Sequence, residues 1–246
     1  MRIHVGCCGF PGGMEKYMEE FETVEIQRTF YRLPKVETAE KWKNLAPKNF
    51  IFCVKCFQGV THPMTSPTWR RSGIKELKEL EGKVGYLRPT KQVLQFWEEN
   101  LEICKILDAR ICLIQLPRSF RENSENLKNL EKFFSKIDRG DLLIAIELRG
   151  WDPKTREKVC EKFDLIDCTD PFKEMPTHFS EEKVAYLRLH GSPPGKRMYN
   201  YKYTKEDLKE LLKRIKSLKV REAFVFFNNI YMEKDAKEFL KLVERL

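Results

Sequence analysis

Acid, base and anion-binding side chains recur at one position along this chain, just where short apolar runs end. Three of these sites are pairs of residues two apart, namely Glu25 and Gln27, Glu147 and Arg149, and Arg188 and His190. Side chains two apart in a β-strand point to the same face. Glu, Lys and His side chains can transfer protons, and an Arg fork fits a phosphate or carboxylate group. The pattern therefore predicts acid–base chemistry on an anionic ligand.

The apolar runs that precede these residues predict the fold. Eight runs are typical of strands, at residues 3–7, 23–27, 50–56, 110–116, 142–148, 164–168, 184–190 and 223–229. Helical patterns lie near 14–20, 36–46, 73–81, 91–107, 123–136, 153–162, 204–217 and 232–245. Strand followed by helix, repeated about eight times, predicts an α/β fold, a single (β/α)8 TIM barrel that forms one domain over residues 1–246. The sixth strand is followed only by a short turn around PTHFSEEK.

In such a barrel the strands are parallel and buried on both faces, and active sites lie at their carboxyl ends. A polar residue late in a strand must pair with another residue, water or a ligand, because burying it unpaired costs several kcal/mol. We expect four catalytic candidates: Glu147, Lys55, His190 and Glu25. We expect the ligand-binding residues to be Arg188, Arg149, Gln27, Gln115, Asn228, Tyr31, His62, Asp167 and Tyr199.

Two long loops at the same ends combine basic and aromatic residues. Residues 58–73 and 190–204 contribute Trp69, Arg70, Arg71, Lys196, Arg197, Tyr199 and Tyr201. Cations that contact phosphates and aromatic rings that stack on bases are typical of single-stranded nucleic-acid binding. The net charge of +9 also favours polyanions, although it is spread along the chain. Nucleic acid is therefore an alternative partner.

Composition excludes several classes of protein. No run approaches the roughly 18 apolar residues of a membrane span, and MRIHVGCCGF lacks a signal-peptide core, so we expect a cytoplasmic protein without membrane association. Cys53 and Cys56 form a nominal C-x-x-C, but residues three apart in a strand point to opposite faces, and Cys104, Cys112, Cys160 and Cys168 show no ligand spacing. We therefore expect buried structural thiols, with a zinc or iron–sulfur site as the alternative. No zinc-protease, Walker or nucleophile-elbow motif is present. The sequence does not identify a cofactor. A divalent metal is an alternative, and its ligands would be His62, His190, Glu25, Glu147 and Asp167.

The same residues resemble a known family. The matching pieces are Glu25, Thr29-Phe30-Tyr31, Pro34, Trp42, Phe50, Phe52, Lys55, Thr61-His62, Gln115-Leu116-Pro117, Glu147-Leu148-Arg149, Trp151, Leu187-Arg188-Leu189-His190-Gly191, Tyr199 and Phe227-Asn228-Asn229. In combination they are similar to the domain of unknown function 72 family, also called YecE-like. The resemblance covers essentially the whole chain and implies a TIM barrel, but no established reaction. Likeness of that family to endonuclease IV-type and sugar-isomerase-type barrels suggests nucleic-acid or sugar-phosphate substrates by fold analogy. Gln27 departs from the usual Asn, and FPGGMEKY is shorter and lacks the usual Trp.

Three hypotheses follow. The first is an enzyme that acts on a phosphate-bearing or sugar-like ligand, with Glu147 and Lys55 as acid and base and Arg188 and Arg149 on the anion. The second is a nucleic-acid-binding protein or nuclease. The third is a non-catalytic small-ligand binder or a structural ion network. The substrate and the oligomeric state are open at this stage.

Overall fold

The computed structural model of the protein describes residues 1–75, 77–191 and 199–245. In this part of the chain, eight strands form one sheet in the order β6-β5-β4-β3-β2-β1-β8-β7, a nearly closed barrel of parallel strands with helices between them. The predicted TIM-barrel fold is confirmed. Within the same described residues, no helix is both long and apolar enough to cross a membrane.

The strands lie where the apolar runs predict them. Their bounds are β1 Arg2–Cys8, β2 Thr23–Ile26, β3 Ile51–Lys55, β4 Ile111–Gln115, β5 Leu143–Glu147, β6 Ile166–Asp167, β7 Val184–Leu189 and β8 Glu222–Phe227. Strands β2 and β7 end one residue earlier than predicted, so Gln27 and His190 lie just beyond them, and Arg149 lies two residues after the end of β5. The expectation that Glu25 and Gln27 share a strand face is therefore wrong, because Gln27 has helical backbone angles (φ −85°, ψ −25°) and precedes a helix.

Helices follow most strands. The α-helices of the described residues are α1 Met14–Glu20, α2 Arg28–Tyr31, α3 Val36–Leu45, α4 Gln58–Thr61, α5 Lys91–Leu107, α6 Ser124–Phe134, α7 Pro153–Phe163, α8 Lys205–Ser217 and α9 Met232–Val243. The predicted helix at 73–81 is wrong, since the described residues of that range, 73–75 and 77–81, form only a 3-10 helix at Leu77–Leu80. Gly73 and Gly82, both with positive φ, bracket it. Residues 168–183, all described, contain no helix, as the short turn after the sixth strand predicts.

The chain divides into two compact units, which are described separately. The first comprises Met1–Glu25, Ala46–Ile51 and Glu157–Leu246, with Leu246 and 192–198 outside the described residues. Here β1 pairs in parallel with β2 and β8, and β7 pairs with β8. Phenylalanines of β8 and tyrosines on neighbouring elements fill its core: Phe224, Phe226, Phe227, Tyr17 and Tyr186. The segment just after β6 is joined to β7 by a backbone hydrogen bond, in which the Arg188 N–H donates to the Thr169 carbonyl at 2.9 Å.

The second unit comprises Ile26–Leu45 and Phe52–Arg156. Its strands β3, β4 and β5 pair in parallel, with Gln115 of β4 aligned with Glu147 of β5. Helix α5 begins at a Thr90 cap, whose hydroxyl accepts from the Val93 N–H at 3.2 Å. Its buried stripe is apolar apart from Asn100, which has no solvent exposure.

Asn100 organises the buried thiols and the start of α4. Its side-chain oxygen accepts from the Phe57 N–H at 3.1 Å, and its amide nitrogen lies 3.6 Å from Cys104 Sγ and 3.5 Å from Cys112 Sγ. Burial raises the pKa of the Cys56 thiol well above its usual range. All eight cysteines are buried thiols outside any disulfide, which confirms the expectation of buried thiols.

Replacing Asn100 tests this role. Asn100→Ala leaves the buried Phe57 N–H without its acceptor, and we expect the free energy of unfolding to fall by about 1–3 kcal/mol. Urea denaturation measures the change. Gln95→Ala, an exposed substitution on the same helix, is the control and should cost less than about 0.5 kcal/mol. Equal losses in the two variants would show that the network around Asn100 is not stabilising.

Candidate functional site

A cluster of predicted residues lies at the carboxyl ends of β3, β4 and β5 in the second unit. Lys55 is the last residue of β3 and is only 7% exposed. Its ammonium nitrogen lies 3.5 Å from Gln27 Oε1 and 4.3 Å from the centre of the Phe30 ring. The ring face attracts the cation, and the amide oxygen accepts a hydrogen bond from it. Lys55 is thus held by its neighbours in a nearly dry position.

Short helix α2 places the ring under Lys55. The Thr29 hydroxyl lies 2.9 Å from the Ile26 carbonyl and 2.7 Å from the Lys55 carbonyl, so it links the ends of β2 and β3. Phe30, next in the helix, is buried. Tyr31 is half-buried, with the Arg71 guanidinium 3.6 Å above its ring centre.

Glu147 and Arg149 form an ion pair at the end of β5. Arg149 Nε donates to Glu147 Oε1. The Glu147 side chain is 7% exposed and that of Arg149 is 25% exposed. The two residues are in direct contact even though Arg149 lies beyond the strand. The carboxylate is therefore buried, while part of the guanidinium is accessible.

His62 follows α4 and is buried among these charges. Its Nδ1 lies 2.8 Å from the Thr61 hydroxyl, and its ring meets Phe30 edge-on at 4.8 Å. Burial, followed by the positive charges of Lys55 and Arg149, lowers the pKa of His62 to about 3. The imidazole is consequently neutral at physiological pH, with Lys55 and Arg149 both contributing to its lowered pKa.

A second group of predicted residues lies in the first unit, around Glu25. The Arg188 guanidinium grips this carboxylate with two hydrogen bonds, Nε to Oε2 and Nη2 to Oε1, both 2.9 Å long. The Tyr186 hydroxyl donates to Oε2 at 2.8 Å, and the Cys8 thiol lies 3.3 Å from Oε1. Glu25 and Arg188 are both 0% exposed. This geometry matches the self-satisfied ion pair of the third hypothesis.

His190 continues this network from Arg188. Its Nε2 lies 3.3 Å from Arg188 Nη1, and a guanidinium N–H can only donate, so Nε2 is the acceptor. The ring proton is then on Nδ1, which lies 3.6 Å from Asp170 Oδ2. The same Asp170 oxygen accepts from the His190 backbone N–H at 3.1 Å. Tyr199, 38% exposed and with φ 71°, contacts the His190 ring edge-on at 5.8 Å.

Two other candidates have structural partners in this unit. Asp167, at the end of β6, accepts from both the backbone N–H and the hydroxyl of Thr177, each at 2.8 Å. Asn228 is half-buried after β8, and its backbone N–H donates to the Leu189 carbonyl at 2.8 Å. Asp167 thus fixes the loop after β6.

The loops of the nucleic-acid hypothesis are less suited to stacking than their sequence suggests. Trp69 is 2% exposed and its indole N–H donates to the Pro63 carbonyl at 2.9 Å, so the expectation of a stacking surface there is wrong. The Tyr201 hydroxyl donates to Asp207 at 2.6 Å. Arg70 and Arg71 are exposed. Lys196 and Arg197 lie outside the described residues.

The structure also bears on the metal alternative. Within residues 1–75, 77–191 and 199–245, no three His, Cys, Asp or Glu side chains are grouped so that they could hold a metal ion. The suggested set of His62, His190, Glu25, Glu147 and Asp167 is therefore not assembled as a metal centre. Arginine and threonine donors occupy the carboxylates of Glu25 and Asp167 instead.

Sequence reasoning missed several contributors. Tyr186 stands two residues before Arg188 on β7, so the same strand periodicity would have placed it beside Arg188. Asp170 carries no such signal, because it lies outside the strands and reaches His190 through the path of the loop after β6.

Comparison with known proteins now gives the family. The model of the family described as protein of unknown function DUF72 matches residues 11–246. The chain belongs to this family. It is 23% identical over 243 residues to the UPF0759 protein YunF of Bacillus subtilis (strain 168), covering 88% of this chain and 80% of that protein.

Solved structures agree on the fold. A DUF72 family protein from Enterococcus faecalis V583 superposes with a TM-score of 0.74 at 20% identity, covering 99% of this chain and 98% of the other. More distant likenesses are a xylose isomerase domain containing protein from Salmonella typhimurium LT2 (TM-score 0.60, 11% identity, 99% and 96% covered) and endonuclease IV from Thermus thermophilus (TM-score 0.53, 12% identity, 100% and 98% covered). At these identities the likeness establishes the fold alone.

The buried ion pair generates a stability prediction. Arg188→Met strands the Glu25 carboxylate in the core, and we expect a loss of about 3–5 kcal/mol in unfolding free energy. The double variant Arg188→Met with Glu25→Gln should recover part of this loss, because no charge is then buried alone. Denaturant titration measures both, with exposed Arg221→Met as the control. A loss in Arg188→Met no larger than the control would contradict the structural role.

The depressed pKa of His62 generates a pH prediction. The folded pKa is about 3 and the ordinary pKa of histidine is 6.5, so between these pH values the unfolded chain binds a proton that the folded chain does not. Folded stability must then fall as pH falls, by about 1.4 kcal/mol per pH unit. Lowering the pH from 7 to 5 should cost the wild type about 2 kcal/mol more than His62→Gln, which lacks this group. Urea titrations at both pH values, with NMR titration of the imidazole, would refute a buried neutral His62 if the two losses were equal.

Proposed function

We propose that this protein binds a small phosphate-bearing or sugar-like ligand at the carboxyl ends of β3 and β5 and acts on it by acid–base chemistry. The observation that carries the proposal is that the Lys55 ammonium and the His62 imidazole both contact the Phe30 ring, at 4.3 and 4.8 Å, and that Lys55 and Arg149 both lower the pKa of His62. Together with Glu147, these predicted residues carry two positive charges and one negative charge. A net positive charge in a mostly buried setting favours an anionic group.

The two cations differ in what they offer. Arg149 is the more accessible, with 25% of its side chain exposed, while its Nε donates to Glu147. A planar guanidinium fits phosphate or carboxylate oxygens. Lys55 supplies a compact charge, steered by Phe30 and Gln27. We assign Arg149 and Lys55 to the anionic group of the ligand.

Glu147 is the proposed acid–base group. It is the last residue of its strand, is nearly buried, and contacts a cation that would also contact the ligand. A carboxylate so placed can remove a proton from a carbon or hydroxyl next to the bound anion and return it. Lys55 is the partner candidate, and neutral His62 can donate or accept a hydrogen bond without adding charge.

Arg188, in the first unit, is not assigned to ligand binding. Arg188 uses Nε and Nη2 on Glu25, so the anion-binding role that its type suggests is not favoured by this geometry. The xylose isomerase domain containing protein and endonuclease IV share the barrel fold. By analogy alone, that likeness supports a sugar or sugar-phosphate ligand over other anions.

Binding of phosphate compounds tests the proposal. Isothermal titration with inorganic phosphate, ribose 5-phosphate and glucose 6-phosphate should give saturable binding, at least about 10-fold weaker in Lys55→Met because a charge contact is lost. Glu147→Gln should still bind, and it should lose any conversion of the sugar phosphates that NMR detects with the wild type.

Lys43→Met is the matched control, since it removes the charge of a partly exposed lysine on α3. It should bind like the wild type. If the wild type binds none of the three compounds, or if Lys55→Met and Lys43→Met bind equally, the anion-binding role is refuted. Conversion that survives in Glu147→Gln would refute the acid–base assignment.

A further inference from the structure

Three consecutive residues of the loop before α5 have left-handed backbone. Gly85, Tyr86 and Leu87 have φ values of 77°, 57° and 51°. Glycine adopts this region freely, but for Tyr86 and Leu87 it is strained. Strain of this kind persists only where the surrounding structure imposes it, and it is common at ligand sites.

The turn is imposed by α4, which leads into His62. The N–H groups of Gly85, Tyr86 and Leu87 donate to the carbonyls of residues 59, 61 and 60, at 2.9, 3.0 and 3.0 Å. A Cβ atom on Gly85 would lie 2.3 Å from the His62 carbonyl carbon, so only glycine fits. The turn is therefore in direct backbone contact with His62.

The Tyr86 ring is held between two neighbours. The Phe120 ring lies 5.7 Å away, centre to centre, and the Arg88 guanidinium lies 5.0 Å from the ring centre. Phe120 in turn stacks on Trp151 at 5.4 Å, and the Trp151 indole N–H donates to the Phe120 carbonyl at 2.7 Å. Tyr86 is therefore connected through Phe120 to Trp151, which lies two residues after Arg149 in the same loop after β5.

The hydroxyl of Tyr86 is open to a ligand. The residue is half-buried, its hydroxyl is not among the fully buried polar atoms, and it makes no hydrogen bond with the residues that the structure describes. A phenylalanine would fill the same space against Phe120 and Arg88. The buried tyrosines Tyr17 and Tyr186, by contrast, each have a protein partner.

We propose that Tyr86 is a specificity-determining residue of this site, whose hydroxyl hydrogen-bonds a hydroxyl group of a sugar-like ligand. The inference rests on the proposed function, because Lys55 and Arg149 hold the anionic group of the same ligand. The contacts with Phe120 and Arg88 restrict the motion of the ring, and a phenol can both donate to and accept from a sugar hydroxyl. Tyr86 therefore selects phosphorylated polyols and sugars over inorganic phosphate.

Tyr86→Phe is the decisive variant, since it removes one oxygen and keeps the ring. We expect affinity for ribose 5-phosphate or glucose 6-phosphate to fall about 5- to 10-fold, as for one hydrogen bond to a neutral group. Affinity for inorganic phosphate should stay within about twofold, because the phosphate contacts are unchanged. Isothermal titration with each compound measures the ratio, and unchanged thermal unfolding checks the fold.

Tyr201→Phe is the control, because its hydroxyl already has a protein partner in Asp207. It should leave the ratio of sugar phosphate to inorganic phosphate affinity unchanged. The proposal is overturned if Tyr86→Phe keeps the wild-type affinities, or if it weakens both compounds equally. Failure of the wild type to bind inorganic phosphate and both sugar phosphates would instead refute the proposed function itself.

Discussion

Burial of charge at the ends of parallel strands is the constraint on which this structure depends. Both faces of each strand are covered, so a charged side chain there must find its partners inside the protein. In the first unit the solution is complete for one carboxylate: Glu25 accepts from Arg188 and Tyr186 and lies close to the Cys8 thiol, with no exposure. Such a pair is costly to break, and it confers little affinity for a ligand.

In the second unit the charged side chains at the strand ends are arranged differently. Here Arg149 pairs with Glu147, and burial followed by the positive charges of Lys55 and Arg149 lowers the pKa of His62 to about 3. A histidine in a positive field stays neutral and acts by hydrogen bonding rather than by charge. The contrast between the two clusters is why the proposed chemistry is assigned to Glu147 and not to Glu25, although the two are equivalent by sequence pattern.

The long connection between β3 and α5 contributes His62 and Tyr86 to the candidate site. Its short helix α4 leads into His62, and its left-handed turn at Gly85–Leu87 holds that helix by three backbone hydrogen bonds. Barrels of this kind vary in function through such loops on a constant set of strands. The likeness in fold to a xylose isomerase domain containing protein and to endonuclease IV is consistent with that division.

Sequence periodicity alone determined the barrel, because alternating strand and helix patterns depend on local hydrophobicity. It also identified Lys55, Glu147 and Arg149 as candidates, since polar residues at the ends of apolar strands are conspicuous, and it placed His62 in the long loop that follows β3. Tertiary structure decided which of them pair. Glu25 and Arg188 are 163 residues apart, and their saturated contact follows only from β2 and β7 being brought together. The tertiary structure also decided that Trp69 is buried and that the turn carrying Tyr86 lies against His62. Both depend on the path of a loop, which is set by backbone contacts that the pattern of side chains does not encode.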